Sequence, residues 1–408
     1  MITETKKAFQ FIFLTILIDC IGIGIIIPIM PELISELGNI TVNKATQIGG
    51  LLMASYAVMQ FVFSPILGGI SDKFGRRPVL LISLLGLGID YILMSFAPTL
   101  AWLFVGRIIA GICGASFTTG MAYIADISKP EDRAKNFGLI GVAFGVGFII
   151  GPLLGTFIAQ FGVRAPFMVA AAISLANFLY GYFVLPESLS KENRRKFEWK
   201  RANPFGSLKH LKKYPAISGL ILGMFLLYLA GQTMPSIWSF YTKYQFAWNE
   251  AMIGYSLAFV GVCVAIIQGG LVGLSMKKLG DRKTVYVGLV LYFIGFTIFA
   301  LANQPWMMFA FTMIYAIGGI APPALQGIIS NDVPANEQGE LQGVLTSLQS
   351  LTTIINPLLM TNLFYLFTNE NAPFHFPGVA FGVSAIFIAF VFIAVYFSFQ
   401  KRKRKTIG

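Results

Sequence analysis

The chain has 408 residues, of which 56% are hydrophobic and 12% charged, with a mean hydropathy of +0.73. A soluble protein of this length carries about twice that charged fraction, so the apolar surplus must face lipid. The net charge of +12 does not mark a nucleic-acid binder, because the Lys and Arg residues cluster in loops of one sidedness.

Near-continuous apolar runs of about twenty residues, the length of a spanning helix, are expected at twelve places. They are Phe9–Pro31, Gln47–Leu67, Val79–Ala97, Leu100–Ala125, Phe137–Gln160, Ala165–Leu185, Ala216–Thr242, Met252–Met276, Thr284–Ala302, Trp306–Ser330, Leu341–Phe367 and Val379–Phe399. The short alternating segments of a β-barrel are not the pattern. The fold class expected is an all-α membrane protein. The first run lacks a small-residue cleavage site and reads as a retained helix. Loops on one side hold 26 Lys and Arg, against Lys44, Arg164 and Lys243 on the other. That asymmetry predicts cytoplasmic termini.

The second and third runs are joined by Gly68-Gly69-Ile70-Ser71-Asp72-Lys73-Phe74-Gly75-Arg76-Arg77-Pro78. Gly75 permits a left-handed turn, and Pro78 suits the first turn of the next helix. A weaker copy, Lys277-Lys278-Leu279-Gly280-Asp281-Arg282-Lys283, lies 205 residues on. The same offset relates Gly151-Pro152-Leu153-Leu154 to Asn356-Pro357-Leu358-Leu359, and Asp126 to Asn331. It spans six helices, so the expected organisation is a parallel repeat. Residues 1–185 form one six-helix half, 186–215 a basic cytoplasmic linker, and 216–408 the second half. The linker's nine Lys and Arg read as a solvated connection; contact with lipid headgroups is the other reading.

Asp19 and Asp90 are the acidic residues deep within spans, and Arg107 is the buried cation. A charge at the bilayer centre costs about 2.5–3.5 kcal/mol even on the lenient insertion scale. Asp19 and Asp90 fall near midplane, about 15 Å deep. One reading is a carboxylate that binds and releases a proton, with Arg107 setting its proton affinity. The other is a structural salt bridge. The first is taken for Asp19 and Asp90; both stand for Arg107. Asp126 ends the fourth span beside the Arg76–Arg77 loop, where pairing would latch the cytoplasmic side. The fifth span holds Gly138, Gly141, Gly145, Gly147, Gly151-Pro152 and Gly155, a series expected to pack closely and bend at Pro152. Cys20, Cys113 and Cys263 lie in apolar runs without metal-ligand spacing, so no metal site is expected. His-Glu-x-x-His, Gly-x-Ser-x-Gly and phosphate-loop motifs do not occur. The chain is therefore not expected to be an enzyme, and no cofactor or nucleic-acid partner is expected.

These motifs together resemble the major facilitator superfamily and, within it, the twelve-helix drug–proton antiporters. Gly69, Asp72, Gly75, Arg76 and Arg77 are similar to the loop signature. Arg107-x3-Gly111-x2-Gly114 resembles the fourth-helix motif. Gly138, Gly147, Gly151, Pro152 and Gly155 resemble the antiporter motif, which departs at Thr156, where a second glycine is usual. Bacterial tetracycline exporters are the nearer resemblance, through the loop, Asp90-Tyr91, Trp248-Asn249 and Gly318-Gly319-Ile320-Ala321-Pro322-Pro323-Ala324-Leu325-Gln326-Gly327. Some of these exporters carry a histidine and an aspartate where this chain has Val264 and Tyr292. The resemblance implies a functional monomer in the bacterial inner membrane. It implies export of tetracycline as a divalent-cation chelate in exchange for protons, with a broad multidrug or metabolite exporter as the alternative. Gln60, Gln232, Gln268, Gln326 and Asn356 are candidate polar groups of a substrate cavity, or helix–helix hydrogen bonds instead.

Overall fold

In a computed structural model of the chain, residues 2–407 are described apart from 115–116, 129–132, 198, 200–202, 204–205, 207–217, 334–337 and 373. Only the backbone is described at 2–8, 117, 133–141, 144, 338–340 and 401–407. The described residues are helical, without strands. Among the described residues, eleven helices are long and apolar enough to cross a membrane. The helix Arg133–Ala159 adds the apolar stretch Gly145–Ala159 at the place of the expected fifth span. The basic residues Lys129, Arg133, Lys135, Lys200, Arg201, Lys209, Lys212 and Lys213 lie outside the described side chains.

Several boundaries differ from the hydropathy reading. The second span runs Val42–Phe74, well past both expected ends, because its polar flanks continue the helical hydrogen bonding. The first span is Ile2–Ile26, followed by a turn and the short helix Met30–Gly38. Pro28 and Pro31 explain the interruption, since proline lacks the N–H and crowds the preceding turn. The seventh span is divided likewise, Ser218–Gly231 and Thr233–Phe246, with a turn at Gln232 and Pro235 beyond it. Residues 27 and 232 are 205 apart, so the interruption follows the repeat.

The chain forms two compact units. The first comprises residues 1–41, 51–204 and 248–258; the second comprises 42–50, 205–247 and 259–408. In the first, a methyl group at Gly254 would meet the Thr156 hydroxyl and lie 2.8 Å from the Pro152 carbonyl. In the second, one at Gly50 would meet the Thr361 hydroxyl and lie 2.9 Å from the Pro357 carbonyl. Thr156 and Thr361, like Pro152 and Pro357, are 205 apart. The two units repeat one helix crossing, built on a glycine facing a threonine. Thr156, the departure from the usual second glycine, also donates to the Glu250 carbonyl at 3.1 Å.

Candidate functional site

Within the first unit the third span, Arg76–Ser95, packs against the helix Leu100–Gly114 of the fourth. This pairing brings Asp90 to Arg107: Arg107 Nη2 donates to Asp90 Oδ2 at 2.8 Å. Asp90 is fully buried, and the arginine side chain is 15% exposed. Asp90 Oδ1 and Arg107 Nε have no hydrogen-bond partner among the described residues. A methyl group at Gly106 would lie 2.5 Å from Asp90 Oδ1, so the carboxylate approaches the fourth span because that position is glycine. Such a pair is weak evidence for stability, since desolvation offsets its attraction, but removing one partner strands a buried charge.

Asp19 is half-buried on the first span and makes no ion pair among the described residues. Tyr91, next to Asp90 on the third span, reaches the first span, where a methyl group at Gly22 would lie 2.6 Å from its hydroxyl oxygen. Tyr56 of the second span reaches the fourth, where one at Gly114 would lie 2.6 Å from its hydroxyl oxygen. The sequence reading singled out Tyr91 through the Asp90-Tyr91 resemblance and did not select Tyr56.

The fifth-span glycines hold the helix that carries Asp19. A methyl group at Gly147 would meet Cys20, one at Gly151 the Gly24 backbone, and one at Gly155 the Ile25 carbonyl. The fifth span is thus pressed backbone to backbone on the helix that carries Asp19, with Pro152 inside it. The packing of Gly138 lies outside the described residues.

At the loop signature, Gly75 adopts φ +110, a conformation that favours glycine. Arg76 is buried and pairs with Asp72 at 2.6 Å and Asp126 at 3.2 Å, and it donates to Ser71 at 2.6 Å. Arg77 donates to the Tyr182 carbonyl at 2.7 Å. Glu187 was missed by the sequence reading. Its carboxylate accepts from the backbone N–H of Arg76 at 2.8 Å and of Arg77 at 3.3 Å, the first, otherwise unpartnered donors of the third span. Ser188 donates to Asp126 at 3.0 Å, and the Arg195 N–H donates to the Asp72 carbonyl at 3.0 Å. Gly69 faces Phe197, whose ring would lie 2.9 Å from a methyl group there. The first part of the linker is exposed at Lys191, Arg195 and Lys196 and at the same time touches the loop signature. Residues 187–197 lie over the loop signature, because a carboxylate at a helix N-terminus satisfies orphan N–H groups.

Of the candidate cavity amides, Gln60 belongs to the first unit and Gln232, Gln268, Gln326 and Asn356 to the second. Gln60 donates to the Tyr56 hydroxyl and the Gly114 carbonyl, both at 3.3 Å. Gln232 sits at the interruption of the seventh span. Asn356 is fully buried and donates to the Leu229 carbonyl at 2.6 Å and to Thr233 at 2.9 Å. It fills the helix–helix role, satisfying a carbonyl freed by that interruption. Gln326 donates to Gln342 at 3.0 Å, and Gln268 is exposed on a π-helical turn. Val264 packs beside Cys263 and Ile267, and Tyr292 is stacked against Phe296 and near Tyr315. No cluster of metal-ligating side chains occurs among the described residues.

A repeated helical membrane fold with a buried ionisable pair defines a secondary transporter. Residues 12–274 and 220–407 match the Major Facilitator Superfamily, and the chain belongs to that family. It is 38% identical over 361 residues to the tetracycline resistance protein, class C, of Escherichia coli, covering 88% of this chain and 90% of that protein. It is 35% identical over 406 residues to the class H protein of Pasteurella multocida, covering 98% and 99%. The crystal structure of a bacterial homolog of the human lysosomal transporter Spinster superposes with a TM-score of 0.79 at 16% identity, covering 98% of each chain. That likeness concerns the fold. The chain is a multi-pass protein of the inner membrane, and it handles a small molecule.

Proposed function

We propose that the chain exports tetracycline, as a divalent-cation chelate, in exchange for protons, acting as a monomer with both termini in the cytoplasm. The observation that carries the exchange is that one unit holds the buried Asp90–Arg107 pair and Asp19, with Tyr91, next to Asp90, lining the same cleft as Asp19. A carboxylate kept in the membrane interior has a cost that only use repays. Asp19, without an ion pair among the described residues, is the group that alternates between a proton and a cationic cargo. Asp90 is held by Arg107 and tunes the field around it. The relatives supply the cargo: the proteins matched over most of their length are tetracycline resistance proteins. The nine basic linker residues and the basic tail support the cytoplasmic placement of the termini. The loop signature, with Arg76, Asp72, Asp126 and Glu187, serves as a cytoplasmic latch whose pairing differs between conformations.

Expression in a tetracycline-sensitive bacterial host tests this reading. Resistance should rise, and everted vesicles should take up tetracycline only with a proton gradient and a divalent cation. Verified insertion without any change in tetracycline susceptibility, but with resistance to unrelated cationic dyes, would favour a multidrug exporter instead.

A further inference from the structure

The first unit contains a small cleft lined by Ile18, Asp19, Ile21, Gly22, Ile25, Tyr91, Ala170, Ile173 and Ser174, contributed by the first, third and sixth spans. It has room for about one water molecule in a mostly apolar lining. Three polar side chains line it. Asp19 offers a carboxylate with no ion pair among the described residues. Tyr91 is 5% exposed, and its hydroxyl makes no hydrogen bond among the described residues. Ser174 is 2% exposed and donates to the Leu84 carbonyl at 3.1 Å, which leaves its oxygen free to accept. The ring of Tyr91 reaches this place only because residue 22 is glycine: a methyl group there would lie 2.6 Å from the Tyr91 oxygen. Buried waters make about three hydrogen bonds, and this cleft supplies one acceptor, one donor and one hydroxyl oxygen.

We propose that Asp19, Tyr91 and Ser174 form a binding site for one water molecule through which Asp19 exchanges its proton, with Tyr91 as the positioning residue. The proposal rests on the reading of Asp19 as a coupling carboxylate. A hydronium ion at this position gives its proton to the Asp19 carboxylate and leaves a neutral water beside a neutral carboxyl. On release the proton returns by the same water. The Tyr91 O–H points the water's lone pairs and hydrogens so that one hydrogen faces Asp19. The other titratable groups around Asp19 are its neighbour Cys20, Tyr56 of the second span, and the Asp90–Arg107 pair of the third and fourth spans. The fifth and sixth spans present glycines, Ser174 and Asn177 to this part of the first, none of which titrates, and Tyr180 of the sixth packs on Phe11, eight residues before Asp19.

The test is the pH profile of proton-driven tetracycline uptake in everted vesicles carrying the full chain. A hydrogen-bond donor near a carboxylate favours its charged form. Tyr91→Phe should therefore move the half-maximal pH upward by about half a unit or more, with the maximal rate kept within about threefold. Gly22→Ala, which displaces the hydroxyl but keeps it, should shift the profile in the same direction. A Tyr91→Phe profile superimposed on that of the unaltered protein would overturn the water site, as would an equal loss of rate at every pH. Should Tyr91→Phe not accumulate, Gly22→Ala carries the test by the same criteria. Asp19→Asn separates the two levels of inference. Full proton-driven transport in that variant defeats the coupling role itself. Loss of transport there, with an unshifted Tyr91→Phe profile, defeats only the water site.

Discussion

The two compact units each hold one like crossing, between a helix of the first half of the sequence and one of the second, and differ in what surrounds it. Thr156 with Gly254 in one unit and Thr361 with Gly50 in the other make the same crossing. The interruptions at residues 27 and 232 stand at the same offset. Yet Asp90 and Arg107 answer to Gly295 and Thr312 at that offset. Gly295 faces the Tyr315 backbone, and Thr312 is buried with its hydroxyl on the Met308 carbonyl at 2.6 Å. Around them Tyr292, Phe296, Phe299 and Tyr315 form an aromatic cluster. The loop signatures differ likewise. Arg76 is buried in a network, whereas Lys277, Lys278, Arg282 and Lys283 are exposed, and Gly280 at φ +76 has open space around it. The fold therefore needs the glycines, prolines and threonines of the repeat. It does not need the charges, which points to use in the half that keeps them.

The largest expected effect breaks this contrast at its centre. Asp19→Asn should lower proton-driven tetracycline uptake by about a hundredfold or more, a loss of about 3 kcal/mol in effective coupling, at unchanged protein level. Thr312→Val in the other half should stay within about twofold. Normal uptake by the Asp19→Asn protein would remove the asymmetry of function.

Next in size is the buried pair. Arg107→Gln should cost about 3–5 kcal/mol of stability by stranding Asp90, read as a lowered melting temperature in detergent. Asp90→Asn with Arg107→Gln should recover most of that loss while transport stays impaired. If the double variant transports normally, the pair is structural only.

A smaller effect separates the two loop copies. Arg76→Ala should slow turnover about tenfold, about 1.4 kcal/mol, with tetracycline affinity nearly unchanged. Arg282→Ala should be close to neutral. An equal fall in affinity and turnover for Arg76→Ala would remove the latch. Smallest is Glu187→Gln, which keeps the cap's shape but loses its charge at the third-span N-terminus, worth about 0.3–1 kcal/mol. A proteolysis rate for residues 187–197 identical to that of the unaltered chain would show that the charge does not hold the segment down.

Membrane class, span number, the parallel repeat and the three charges within spans were legible in the sequence. Each follows from quantities that add along the chain: hydropathy over about twenty residues, the sidedness of basic loops, and the cost of an isolated charge. The glycines of the fifth span also announced close packing, though not that their partner is the helix bearing Asp19. Only the tertiary structure decided who meets whom. Arg107 finds Asp90 across 17 positions, Arg76 finds Asp126 across 50, and the Arg76 backbone finds Glu187 across 111. Glu187 looked like one more polar residue at the head of a basic linker, and Tyr91 stood out only as the neighbour of Asp90. Their roles arise from helix crossings set by glycine and proline contacts, and neither hydropathy nor spacing along the chain encodes the direction in which a side chain then points.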